Sequence, residues 1–149
     1  WESKARYKHD GVSIQAVDWS RDGTRIAIAG SSDETRKGRV LLWDAVSDAP
    51  PEPLTVPALD LGEECYPCHV DTIKFSPDGT MLAIGGRGRM IKVFSATTGE
   101  VTATLKDESR NEKFWKLDWS PDGARLAAGA MGSPGTIFVC NDLAAPLAT

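Results

Sequence analysis

The sequence is short of the groups that most enzyme chemistry needs. Its 149 residues include two histidines and three cysteines, which leaves few imidazoles or thiolates for acid–base, nucleophilic or metal work. It has no GxSxG nucleophile elbow and no HExxH zinc-protease string. Three cysteines are too few, and odd in number, for a disulfide framework in a chain of this length, so a reducing cytoplasm is the expected compartment. No apolar run approaches the roughly 18 residues of a membrane-spanning helix, and a membrane is not expected as partner. The opening WESKARYKHD has neither an initiator Met nor the apolar stretch of a signal peptide. A one-signed charge block is missing too. Lys and Arg, 17 in all, are interspersed among 21 Asp and Glu for a net charge of -4, which argues against nucleic acid as the main partner. Sustained helical periodicity is absent, interrupted by 14 Gly and 9 Pro.

What is present is a repeat. The segments AVDWSRDGTRIAIAG (16–30), TIKFSPDGTMLAIGG (72–86) and KLDWSPDGARLAAGA (116–130) superimpose without a gap. Their turn serines, Ser20, Ser76 and Ser120, stand 56 and 44 residues apart, around the roughly 40–45 of a four-stranded unit. In each, an aromatic closes a first strand (Trp19, Phe75, Trp119) and SRDG or SPDG follows. Asp at the third turn position can bond back to the backbone and Gly at the fourth tolerates positive φ, so a hairpin is forced. The returning strand is small and apolar, as a strand must be when both its faces lie against neighbouring sheets.

A third strand follows in VLLWDA (40–45), IKVFSA (91–96) and IFVCND (137–142), with Trp43, Phe94 and Cys140 as its last core position. After the middle copy, TTGE at 97–100 is a turn, and VTATL alternates as an exposed outer strand would. The expected class is all-β, with about three blades of four antiparallel strands, since such units must stack radially to cover both faces. The expected division is 1–10 as the end of a preceding blade, 11–61 as the first repeat with an insertion, 62–106 as the second and 107–149 as the third, all in one propeller domain. The first repeat's insertion carries Pro50, Pro51, Pro53 and Pro57 and is expected to form a proline-stiffened edge with a loop.

The SPDG turn, the small-residue strand, the Trp43-Asp44 dipeptide and the TGE turn together resemble the WD40-repeat family across essentially the whole chain. The resemblance implies a β-propeller that serves as a scaffold for assembling protein complexes, with no catalysis and no cofactor. The family's buried His, Ser/Thr, Asp and Trp network is approached in the first unit by His9, Ser31 and Trp43, with Asp33 displaced by the insertion. The second unit has Gly88 and the third Pro134 where the acid would fall. The third unit also looks like TolB-like propeller repeats, and the paired DWS and KFSPDG strands are similar to propellers of the echinoderm microtubule-associated protein-like family, which would make tubulin the partner. Trp1 and Trp43 are 42 residues apart, one repeat phase. Three blades are fewer than the roughly four that close a ring, so further blades in the same protein, or self-association, are expected to complete it.

CYPCH at 65–69 matches the attachment signature of c-type haem, with Cys65 and Cys68 as the thiols and His69 as axial ligand. Without an exporting signal, and placed just ahead of a strand, it reads as a loop thiol pair with a capping histidine. Zinc would have only these three ligands. GGRGR at 85–89 joins two strands and opens no helix, so it is an inter-strand turn and not a phosphate cradle. Arg87 and Arg89 in that turn, with Arg36 and Lys37 in the first unit's insertion, should share one rim. With Trp115 as aromatic anchor they form the candidate protein-binding surface. Asp18, Lys74 and Asp118 occupy one position in the three first strands, so acid–base–acid pairing across blades is expected near the axis.

Overall fold

In a computed structural model, residues 11–32, 34, 38–47, 69–87, 90–106, 113–131, 135–141 and 143 are described. They form ten strands, β1 (Val12–Trp19), β2 (Arg25–Ser32), β3 (Gly38–Asp44), β4 (Val70–Phe75), β5 (Met81–Gly86), β6 (Met90–Ser95), β7 (Val101–Lys106), β8 (Lys113–Trp119), β9 (Leu126–Met131) and β10 (Thr136–Cys140). These make three antiparallel sheets in the orders β1-β2-β3, β4-β5-β6-β7 and β10-β9-β8. They are the blades of a β-propeller. The middle blade has its outer strand, β7. The segments that would supply a fourth strand to the other two, and most of the proline-rich insertion, lie outside the described residues.

Each inner hairpin is closed by the same small device. The Ser20 hydroxyl donates to Asp22 Oδ1 at 2.6 Å and accepts the Arg25 amide at 2.9 Å, while Asp22 Oδ1 also accepts the Thr24 amide at 3.0 Å. Gly23 takes φ 72° and donates to the Ser20 carbonyl, a conformation that would strain a side-chain-bearing residue. Ser76, Asp78 and Gly79 repeat the pattern, as do Ser120, Asp122 and Gly123. The turn hydrogen bonds, Ser20 first, pull the Asp22 carboxyl from 3.8 down to about 2, and those from Ser76 and Ser120 lower Asp78 and Asp122.

The core lies between blades, in two layers. One joins Ala27, Ala29, Val40 and Leu42 of the first blade to Val70, Ile73, Phe75, Leu82, Ile84, Phe94 and Ala96 of the second. The other joins Ala83, Ile91, Val93 and Ala103 of the second to Phe114, Leu117, Trp119, Leu126 and Ala128 of the third. Each large side chain so buried contributes about 1.5–3 kcal/mol. In β5, which has a blade on each side, every residue from Leu82 to Gly86 is buried, and its alanine and glycines suit the small depth between sheets.

Outside those layers the same positions are bare. Ile14, Val17 and Trp19 on the leading face of the first blade are 49–60 % exposed, whereas their counterparts Val70, Ile73, Phe75 and Phe114, Leu117, Trp119 are 2–8 % exposed. On the trailing face of the third blade Ile137 and Val139 are 79 % and 55 % exposed, against at most 8 % for Val40, Leu42, Ile91 and Val93. Among the described residues, each end of the stack therefore has the surface of a blade junction without a second blade on it.

Candidate functional site

The inner strands carry an irregularity at the same place in each blade. The pairing register slips between Ile14 and Ala16, between Val70 and Thr72, and between Phe114 and Lys116. One extra residue is left over each time: Gln15, Asp71 and Trp115. Bulges re-aim a side chain out of the pleat, and these three lie at the end of the inner strands that abuts the β2–β3, β5–β6 and β9–β10 turns. Because β1 packs beside β4 and β4 beside β8, the three residues share one rim around the axis.

The neighbours of this rim are polar. Gln15 Nε2 donates to His69 Nδ1 at 3.0 Å, across the first blade junction, and lies 3.3 Å from Ser31 Oγ. Asp71, mostly buried, has Oδ2 3.7 Å from Arg87 Nε, and Arg87 is half exposed. The Arg87 amide donates to the His69 carbonyl at 3.2 Å, and a Cβ on Gly86 would run into that carbonyl. Glycine is what lets the strand return so closely over the bulge. Trp115 is 37 % exposed, so its indole is not consumed by packing between blades.

Of the residues expected at the binding surface, Arg87 and Trp115 thus lie on one rim, and Arg87 is tied to Asp71. Arg36, Lys37 and Arg89 lie outside the described residues, as do Cys65, Cys68, His9, Asp33, Gly88 and Pro134. His69, the third member of the CYPCH string, engages Gln15. No group of three potential metal ligands occurs among the described residues, and no described helix is long and apolar enough to cross a membrane. Cys140 is half-buried, and that burial raises its thiol pKa, which disfavours the reactive thiolate.

The axial series is half as expected. Lys74 Nζ is 2.9 Å from Asp18 Oδ1, and Asp18 Oδ2 accepts the Phe75 amide at 2.9 Å. Asp118 makes no ion pair among the described residues; its Oδ1 accepts its neighbour's amide, Trp119 N, at 3.1 Å.

Gln15, Asp71 and the Arg25 contacts described below were not singled out from the sequence. A signal for the bulges was there: in all three inner strands the apolar residues are spaced three and then two apart (Ile14, Val17, Trp19; Val70, Ile73, Phe75; Phe114, Leu117, Trp119), a one-residue slip in a period of two.

Comparison with known proteins gives a consistent picture. The family described as "WD domain, G-beta repeat" matches residues 1–44 and 63–95. The chain is 34% identical to the WD repeat-containing protein VIP3 of Arabidopsis thaliana over 88 residues, covering 51% of this chain and 27% of VIP3. It is 25% identical to protein HIRA of Caenorhabditis elegans over 173 aligned residues, covering 93% of this chain and 18% of HIRA. A ciliary WD repeat-containing protein, ctxp80 of Euplotoides octocarinatus, is 32% identical over 89 residues, covering 60% of this chain and 11% of that protein. The chain spans about a quarter or less of the length of these relatives.

Proposed function

This chain belongs to the WD40-repeat family, and from that premise we propose that it is a non-enzymatic scaffold whose bulged rim binds a protein partner. The observation that carries the reading is the set of three in-register bulges. A β-bulge disrupts the ladder, and three at one level place Gln15, Asp71 and Trp115 on one rim beside Arg87. A part-exposed tryptophan with an arginine is the composition of an interface hot spot. The Arg87 guanidinium, 3.7 Å from Asp71 and not hydrogen-bonded to its Oδ2, keeps its N–H donors for a partner's carboxylate or carbonyl. Arg36, Lys37 and Arg89 belong to the same proposed surface on sequence grounds, and a reducing cytoplasm is the compartment the proposal assumes.

Affinity capture from cells with the wild-type chain, with Trp115→Ala and with Arg87→Glu tests it. Partners that use the rim should fall by about tenfold or more with either substitution. An identical set of captured proteins, at undiminished yield, would overturn the proposal. A second reading, a microtubule-associated role, has the ciliary relative in its favour. Co-sedimentation of the chain with polymerised tubulin that Trp115→Ala abolishes would select it.

A further inference from the structure

The charges of the described residues are sorted between the two rims of the blades. At the level of the bulges each blade presents an exposed cation. Arg39 pairs with Gly30, which faces Ile14 beside the first bulge; Arg87 follows Gly86, the partner of Val70; Lys113 precedes Phe114 and pairs with Met131. Among the described residues the exposed acid at this end is Glu34, between β2 and β3. The opposite rim, where the Ser-x-Asp-Gly turns lie, carries Asp22, Asp44, Asp78, Glu100 and Asp122, all exposed, and Arg21 and Arg125 offset only part of that charge. A chain of net charge -4 therefore holds one rim whose sign is opposite to that of the whole molecule.

Asp71 does not cancel this character toward a ligand. Its side chain is 15 % exposed and its Oδ2 is buried without a hydrogen bond, whereas the Arg87 side chain, with Nε 3.7 Å away, is 47 % exposed. What a partner meets is mainly the guanidinium, whose donors form a planar fork that fits a carboxylate. Trp115, two residues on from Lys113 in the same strand, sets a part-exposed aromatic surface near that cation. About one cation per blade is sparse for a nucleic-acid duplex, which carries a negative charge every ~1.7 Å; carboxylates spaced by other side chains suit it better.

We infer that the partner taken by this rim is an acidic, partly apolar stretch of protein, with carboxylates on Arg87, Lys113 and Arg39 and an apolar side chain on the Trp115 indole. The inference rests on the bulged rim being the binding surface and adds the sign and chemistry of what it binds. Exposed ion pairs of this kind are individually weak. Selectivity comes from several acting together and from the repulsion of basic segments.

Fluorescence anisotropy of the full chain with two labelled peptides of equal length tests it. One repeats glutamate, leucine and serine; the other has lysine in place of glutamate. The acidic peptide should bind about tenfold or more tightly than the basic one. Lys113→Glu and Arg39→Glu should each weaken its binding about threefold, and Arg87→Glu combined with Lys113→Glu should abolish the preference. Glu100→Lys, an equal and opposite change of charge on the other rim, should leave it as it is. Equal or tighter binding of the basic peptide, or tighter binding of an oligothymidylate, overturns the inference. So does an acidic preference that the rim substitutions leave untouched, or that Glu100→Lys raises as strongly as Lys113→Glu lowers it. Failure here differs from failure of the rim itself: partners lost on Trp115→Ala in affinity capture, with no acidic preference among the peptides, keep the rim as a binding surface and remove the acidic partner.

Discussion

The first junction and the second bring the same secondary structure together by different means. At the first, Asp18 and Arg25 cross from one blade to the next and end on an ammonium, an amide, two carbonyls and a ring. At the second the polar crossing is the indole of Trp119, whose Nε1 donates to the Lys74 carbonyl at 3.2 Å. Met81 sits in Arg25's place and packs into the apolar layer with Leu105 and Phe138. The Phe114 and Phe138 rings meet edge to face, with centroids 5.4 Å apart. The backbone of the repeat thus specifies where blades meet, while two side-chain positions decide whether the contact is directional and charged or apolar. A charged, directional junction selects its neighbour; an apolar one accepts any neighbour of suitable shape.

The largest effect that would break this contrast is expected at Trp119. It is 8 % exposed in the second layer, so Trp119→Ala should lower the unfolding free energy by about 3–5 kcal/mol in urea titration. Trp119→Phe should recover most of that, losing mainly the bond to Lys74. A loss below about 1 kcal/mol in the alanine variant would mean that the second junction does not rest on this side chain.

Arg25→Met transplants the second junction's residue into the first. The methionine refills the volume but leaves the Gly79 and Ala96 carbonyls without their donor, so about 1–2 kcal/mol of stability should go. Asp18→Asn is milder, because the amide oxygen still accepts Phe75 N. The ion pair is part exposed, and its removal should cost at most about 1 kcal/mol. That difference between variant and wild type should shrink toward zero near about 1 M salt, where screening lengths fall to about 3 Å. Salt-insensitive destabilisation would show that the loss does not come from the Lys74 ion pair.

The parts of this architecture legible in the sequence are those set by local rules. The Ser-x-Asp-Gly turns, the aromatic that closes each inner strand and the alanine-rich return strand follow from turn stereochemistry and two-sided burial, and they recur in register. The pairing of Asp18 with Lys74 was legible for the same reason. That Asp118 stays out of the series was not, because which of two acids a single lysine serves depends on interblade distance. Arg25 was not singled out, because its reach to Gly79 and Ala96 exists only once the second blade is stacked. Trp115 was legible as an aromatic in need of an explanation, and the bulge supplies one by lifting it out of the strand's alternation.

The smallest effect separates hairpins from junctions. Asp22, Asp78 and Asp122 all have carboxyls held below their ordinary range by turn hydrogen bonds, Asp22 at about 2. A group whose pKa is depressed on folding contributes stability that is complete above its unfolded value, here near 3.8, and that is lost as pH falls through the folded value. The thermal midpoint should therefore fall as pH drops from about 4 toward 2, and less so in Asp22→Asn, Asp78→Asn or Asp122→Asn chains. Equal slopes for the three would confirm that the hairpins are interchangeable and that the difference between the junctions lies in the side chains that cross them. A slope changed by Asp78→Asn alone would place part of the difference in the turn that Arg25 grips, since the Gly79 carbonyl is the acceptor of its shortest bond.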